Sequence, residues 1–176
     1  MKFRETSLKG AYLIEIEPVH DERGFFARSW CCDEFAARGL NPRLVQCNIT
    51  LTRHKGTLRG MHYQTVPHEE AKLVRCTRGS IYDVIVDLRP DSPTCKQWFA
   101  AELTADNFTL LYVPEGFAHG FLTLADNSEV FYQMSEFYHP ECAAGVRWND
   151  PAFNIEWPST VRTISQKDRE LPNFVV

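Results

Sequence analysis

The stretch "SIYDVIVDLR" (residues 80–89) alternates strictly. Tyr82, Val84, Val86 and Leu88 fall on one side of an extended chain; Ile81, Asp83, Ile85, Asp87 and Arg89 fall on the other. A period of two belongs to a β-strand and not to a helix. The same period, nearly unbroken, runs through "AYLIEIE" (11–17), where Tyr12, Ile14 and Ile16 oppose Leu13, Glu15 and Glu17. In "EVFYQMSEFY" (129–138), Val130, Tyr132, Met134 and Tyr138 share a side. Turn-forming clusters separate such runs: "TRGS" (77–80), "RPDSPT" (89–94), "ADNSE" (125–129) and "HPEC" (139–142). Helix signals are confined to "CDEFAARGL" (32–40), with Gly39 at its end, and to a turn in "SQKDRELP" (165–172), closed by Pro172. That is too few helices to cross over a parallel sheet, so a mainly β sandwich or barrel is expected.

A chain of 176 residues encloses a real core and is expected to form one domain, 1–176. The net charge of −4 excludes a broad basic face, and with it nucleic acid as a partner. A few converging arginines still bind a phosphate whatever the global charge. Charges every few residues in "MKFRETSLKGAYLIEIE" (1–17) match neither a secretion signal nor a membrane span. A cytoplasmic protein with no membrane partner is expected. Cys31, Cys32, Cys47, Cys76, Cys95 and Cys142 contain no CxxC pair, which fits reduced structural thiols; a disulfide framework is the alternative.

Two histidines have distinctive surroundings: His62 in "GTLRGMHYQT" (56–65) and His119 in "VPEGFAHGF" (113–121). His20, His54, His68 and His139 sit among turn residues and charges and are assigned to solvent. The patterns Gly60…His62-x-Gln64 and Pro114-x-Gly116-x-x-His119 resemble the two signatures of the cupin, the double-stranded β-helix or jelly-roll barrel. Metal-binding cupins carry a second histidine where this chain has Gln64. A neutral amide is a poor transition-metal ligand beside imidazole. His62 and His119 with Glu69 or Glu70 remain the metal reading; a metal-free site is preferred.

The wider chain resembles one family, the nucleotide-sugar epimerases typified by dTDP-4-dehydrorhamnose 3,5-epimerase. Seven segments carry the resemblance, in order: "DERGFF" (21–26), "QCNIT" (46–50), "GTLRGMHYQ" (56–64), "AKLVRCTRGSIYDVIVDLR" (71–89), "VPEGFAHGF" (113–121), "VRWNDP" (146–151) and "SQKD" (165–168). The resemblance implies a cupin-like homodimer that exchanges strands. It implies epimerisation next to a keto group of a nucleotide-diphosphate sugar, with no cofactor and no metal. It assigns the base to His62, its paired carboxylate to Asp168, the opposing proton donor to Tyr132 and the enolate partner to Lys72. Arg23 and Arg59 become phosphate donors, with Gln46, Asn48 and His119 as neutral partners. Phe26 is placed on the nucleobase, and Tyr138 is assigned to substrate binding.

The chemistry asks for such a set. Inverting a carbon beside a ketone needs a base, an acid across the ring and a partner for the developing oxyanion. Strict alternation would put Arg59 and His62 on opposite faces, so a bulge or turn is expected at Gly60. Three positions depart from the family. Arg28 stands where a glutamate near the base is usual, Glu70 where glutamine is frequent, and Gln133 where many members have lysine. A carboxylate accepts where arginine only donates, so Arg28 bears on which nucleobase is bound. A C3-only epimerase, a non-catalytic sugar-nucleotide-binding cupin and a metal-dependent dioxygenase are the alternatives.

Overall fold

The computed structural model describes residues 1–175. The chain runs through β1 (Lys2–Glu5), β2 (Tyr12–Glu15), β3 (Val19–Asp21), β4 (Gly24–Phe26), α1 (Cys32–Ala36), β5 (Gln46–Thr52), β6 (Thr57–Gln64), β7 (Lys72–Arg78) and β8 (Ser80–Asp87). It continues through β9 (Trp98–Thr104), β10 (Thr109–Val113), β11 (Phe117–Thr123), β12 (Ser128–Met134), β13 (Ala143–Gly145), β14 (Thr163–Ile164) and α2 (Gln166–Arg169). One antiparallel sheet has the order β1-β2-β10-β7-β12-β5. The other has the order β13-β6-β11-β8-β9, with β14 added in parallel to β6. This is the expected cupin-like, mainly β fold, built as two facing sheets rather than one closed ladder.

Alternation decides what each sheet buries. Ile81 and Ile85 of β8 meet Val74 and Cys76 of β7, Leu111 and Val113 of β10 and Val130 of β12 in a central layer between the sheets. The opposite face of β8 is covered as well: Val84, Val86 and Leu88 pack with Met61, Val146 and Phe153. Tyr12, Ile14 and Ile16 leave the central layer and pack around Phe35 of α1. With both faces covered, β8 and β11 are buried at nearly every position, polar residues included. Truncating a fully buried phenylalanine such as Phe35 costs about 3–5 kcal/mol.

The first expected helix, over 32–40, is shorter than its sequence suggested, and the second is the single turn expected in 165–172. α1 stops at Ala36, and the chain turns through Gly39 (φ +69°), with the Leu40 N–H bonded to the Phe35 carbonyl. α2 is one turn, capped by Ser165, whose hydroxyl accepts from the Asp168 N–H at 3.0 Å. All six cysteines are unpaired, as expected for reduced thiols. Among the described residues, no helix is long and apolar enough to cross a membrane.

Candidate active site

A cavity of about 610 Å³ opens between the sheets. It is within the size range of small-molecule sites. Its walls bring together His62, Arg59 and Gln64 from β6, His119 from β11, Lys72 from β7, Tyr132 from β12, Gln46 and Asn48 from β5, and Asp168 from α2. Tyr138 also lines it, by a route that parity did not predict. β12 ends at Met134, and Tyr138 follows in a loop held by its N–H to Gln46 Oε1 at 3.1 Å.

Arg59 and His62 reach one cavity because β6 carries an extra residue. His119 pairs with His62 and Phe121 with Arg59, so two steps along β11 match three along β6. The irregularity lies at Gly60, as expected, where φ is +122°. A Cβ there would stand 2.5 Å from Gly120 Cα and 2.9 Å from the His119 carbonyl oxygen. Only glycine tolerates both the φ and the contact.

His62 Nε2 is 2.7 Å from Asp168 Oδ1, and the Gly60 N–H donates to Asp168 Oδ2 at 3.2 Å. Burial raises the proton affinity of Asp168. The hydrogen bonds from His62, Gly60 and the Ser165 cap, with the charge of His62, outweigh it and hold the carboxyl below its ordinary pKa. An ionised carboxylate at Nε2 keeps the proton there, so Nδ1 carries the lone pair. The His62 ring is 44% exposed, and it lines the cavity.

Lys72 and Glu70 form a buried pair, Nζ to Oε1 at 2.7 Å, and the same ammonium donates to the His62 carbonyl at 3.3 Å. Tyr132 stands on the opposite sheet from His62. Burial pushes its phenol pKa up, against the Asn48 hydrogen bond and the charge of Arg59, while the charge of Glu70 reinforces the rise. Arg59 is steadied by Nε–H to Thr52 Oγ1 at 3.0 Å and keeps its terminal nitrogens for a ligand.

His119 is more constrained than its expected role as a neutral ligand partner implied. Its Nε2 meets Asp83 Oδ1 at 2.7 Å, and both are buried. Asp83 was not singled out as a site residue. Its signal was an acid on the inward face of "YDVIVD", which in a two-sided strand requires a partner.

His62, His119 and Glu70 do not converge on a common point. Each imidazole faces its own carboxylate and Glu70 faces Lys72. Gln64 works as a clamp: its amide donates to the His68 and Phe137 carbonyls at 2.8 and 3.1 Å and accepts from the His139 N–H at 2.6 Å. That clamp corrects the assignment of His68 and His139 to solvent. Their rings stack at 3.5 Å and are half-buried. With Glu136 they group three ligand atoms within 4.8 Å. The rings are near-parallel, 10° apart, His139 Nδ1 lies 3.1 Å from Glu141 Oε1, and Glu136 already binds Arg43 at 2.9 Å.

Arg23, Phe26 and Arg28 are not brought to the cavity of this chain. β3 and β4 form a separate hairpin outside both large sheets. There Phe26 is 78% exposed and Arg23 is bound by Asp21. Arg28 turns to Glu34, Nη1 to Oε1 at 3.0 Å. No strand of the two large sheets carries these three residues toward the cavity of the same chain.

Residues 5–175 match the family model described as dTDP-4-dehydrorhamnose 3,5-epimerase. A dTDP-4-dehydrorhamnose 3,5-epimerase of Methanothermobacter thermautotrophicus is 44% identical over 96% of this chain and 91% of the relative. The crystal structure of the Bacillus anthracis enzyme of that name, with TDP and PPi bound, is 44% identical; it superposes with a TM-score of 0.94 over 98% of this chain and 99% of that one. A 3'-monoepimerase from Streptomyces bikiniensis, solved with dTDP-quinovose, is 31% identical, with a TM-score of 0.87 over 96% and 85% of the two chains.

Proposed function

The chain belongs to the dTDP-4-dehydrorhamnose 3,5-epimerase family, and from that premise we propose that it epimerises a nucleotide-linked 4-keto-6-deoxy sugar at C3, C5 or both. The observation that carries the reading is the placement of a paired base and a protonated phenol on facing sheets of one cavity: His62 with Asp168 on one wall, Tyr132 on the other. Inversion needs that opposition.

His62 Nδ1 takes the proton from the carbon beside the ketone. The C–H electron pair moves into the enolate, and the Lys72 ammonium donates to its oxygen. Asp168 holds the imidazolium as it forms. The raised pKa of Tyr132 keeps its proton in place through neutral pH, ready for delivery to the opposite face. The imidazolium then returns its proton, and the phenolate regains one, through solvent.

Arg59 binds a diphosphate oxygen, with Gln46, Asn48 and His119 completing the polar wall and Tyr138 at the mouth. Arg23, Phe26 and Arg28 complete the nucleotide subsite from a second copy of the chain. The hairpin that carries Arg23 and Phe26 lies outside both large sheets, and Val19, 70% exposed beside Phe26, supports a homodimer. A nucleotide-sugar substrate points to a cytoplasmic enzyme. The test is solvent deuterium exchange into 4-keto-6-deoxy sugars linked to dTDP, UDP, CDP and GDP. Label at C3 and C5 is expected for double epimerisation and label at C3 alone for the single version. No exchange with any of the four contradicts the proposal.

A further inference from the structure

Glu70 is a buried carboxylate in the cavity wall that faces Lys72, and it is only half used. Its side chain is 3% exposed, Oε1 meets Lys72 at 2.7 Å, and Oε2 is buried with no hydrogen-bond partner. Leaving a charged oxygen without a donor is costly unless a ligand supplies one. Lys72 is also incomplete. Of its three N–H bonds, one faces Glu70 and one the His62 carbonyl, which leaves one for a ligand. The wall thus offers a spare donor and a spare acceptor side by side.

We propose that Glu70 and Lys72 together recognise an α-hydroxyketone, Lys72 donating to the keto oxygen and Glu70 accepting the proton of the hydroxyl on the neighbouring carbon. The inference rests on the epimerase reading above. In a 4-keto-6-deoxy hexose the ketone at C4 has a hydroxyl-bearing carbon on the C3 side, whereas C5 carries a methyl and the ring oxygen, neither of which donates a hydrogen bond. The pair therefore sets which way round the sugar lies, and makes Glu70 a specificity-determining residue. A glutamine NH2 at the free position could still donate to the hydroxyl oxygen, which accepts as well as donates, whereas an apolar side chain such as methionine leaves the hydroxyl without a partner.

The experiment compares the 4-keto-6-deoxyhexose, on whichever of the four nucleotides supports exchange, with its 3-deoxy counterpart, by equilibrium binding and by deuterium exchange at C5. Wild-type protein is expected to lose about tenfold to a hundredfold in affinity and in kcat/KM when the hydroxyl is removed. Glu70→Met is expected to treat the two sugars within a few fold. Wild type that binds and turns over both sugars equally overturns the inference alone, and needs no variant to do so. A folded Glu70→Met protein that keeps the wild-type discrimination overturns it too. Failure of wild type to bind or exchange either sugar on any of the four nucleotides overturns the epimerase reading itself, and the inference with it.

Discussion

His62 and Asp168, 106 residues apart in sequence, meet at 2.7 Å because a one-turn helix capped by Ser165 presents the carboxylate beneath β6. Asp168 is also bonded to the Gly60 N–H, so the bulge that turns Arg59 and His62 into one cavity and the residue that orients the base are joined. Asp168→Asn keeps the shape but not the charge. We expect kcat to fall about 10²- to 10⁴-fold, with little change in the affinity for nucleotide. Steady-state kinetics and nucleotide titration check this; an unchanged kcat would place the pair outside the reaction.

Tyr132→Phe removes the proton of the far wall and leaves the base intact. Exchange and inversion should separate. Solvent deuterium still enters the carbon that His62 deprotonates, while formation of the inverted product falls at least about tenfold. NMR on the recovered sugar reads both. Parallel loss of exchange and inversion would show that the phenol does more than deliver a proton.

Acid stability has a worked sign. Burial works to raise Asp87, but hydrogen bonds from Arg89, Ser92 and Thr94 outweigh it and hold its pKa below the ordinary value; Asp168 is held low in the same sense. The unfolded chain therefore binds more protons as pH drops below about 4, the ordinary aspartate range. The stability that these groups contribute is complete above that range and is lost as pH falls through their lower folded values. Urea melts from pH 7 to pH 3 should show this loss, and Asp168→Asn should flatten it. Identical slopes for the two proteins would refute the assignment.

Gly60→Ala should be among the most damaging single changes. The added methyl meets Gly120 Cα at 2.5 Å at a φ of +122°, and both obstacles are backbone. A loss of about 3 kcal/mol or more is expected, read as a lower urea midpoint or as insoluble protein. A variant with the wild-type midpoint would mean that the bulge adapts freely.

Local pattern carried the fold and part of the site. The alternation in 80–89 identifies a strand, and burial on both faces explains why Asp83 and Asp87 stand out within it. The conflict between Arg59 and His62 was visible as a parity problem, and its solution at Gly60 follows from glycine's freedom at positive φ. Pairings across the fold had no local trace. Asp83 with His119, and Gln64 with the loops at 68 and 137–139, depend on strand order and not on spacing. Asp168 was reached only through the family resemblance, because its own surroundings read as a charged tail. Arg23, Phe26 and Arg28 show the limit of that route: a resemblance names residues without saying which copy of the chain delivers them.

The central claim is that His62, oriented by Asp168, is the base that removes a proton from carbon. The most direct measurement is the rate of solvent deuterium incorporation at C3 of dTDP-4-keto-6-deoxyhexose by wild type and by His62→Asn, with circular dichroism confirming that both are folded. Wild type should incorporate label, and the variant should do so about 10²- to 10⁴-fold more slowly. Incorporation by folded His62→Asn at the wild-type rate would contradict the account.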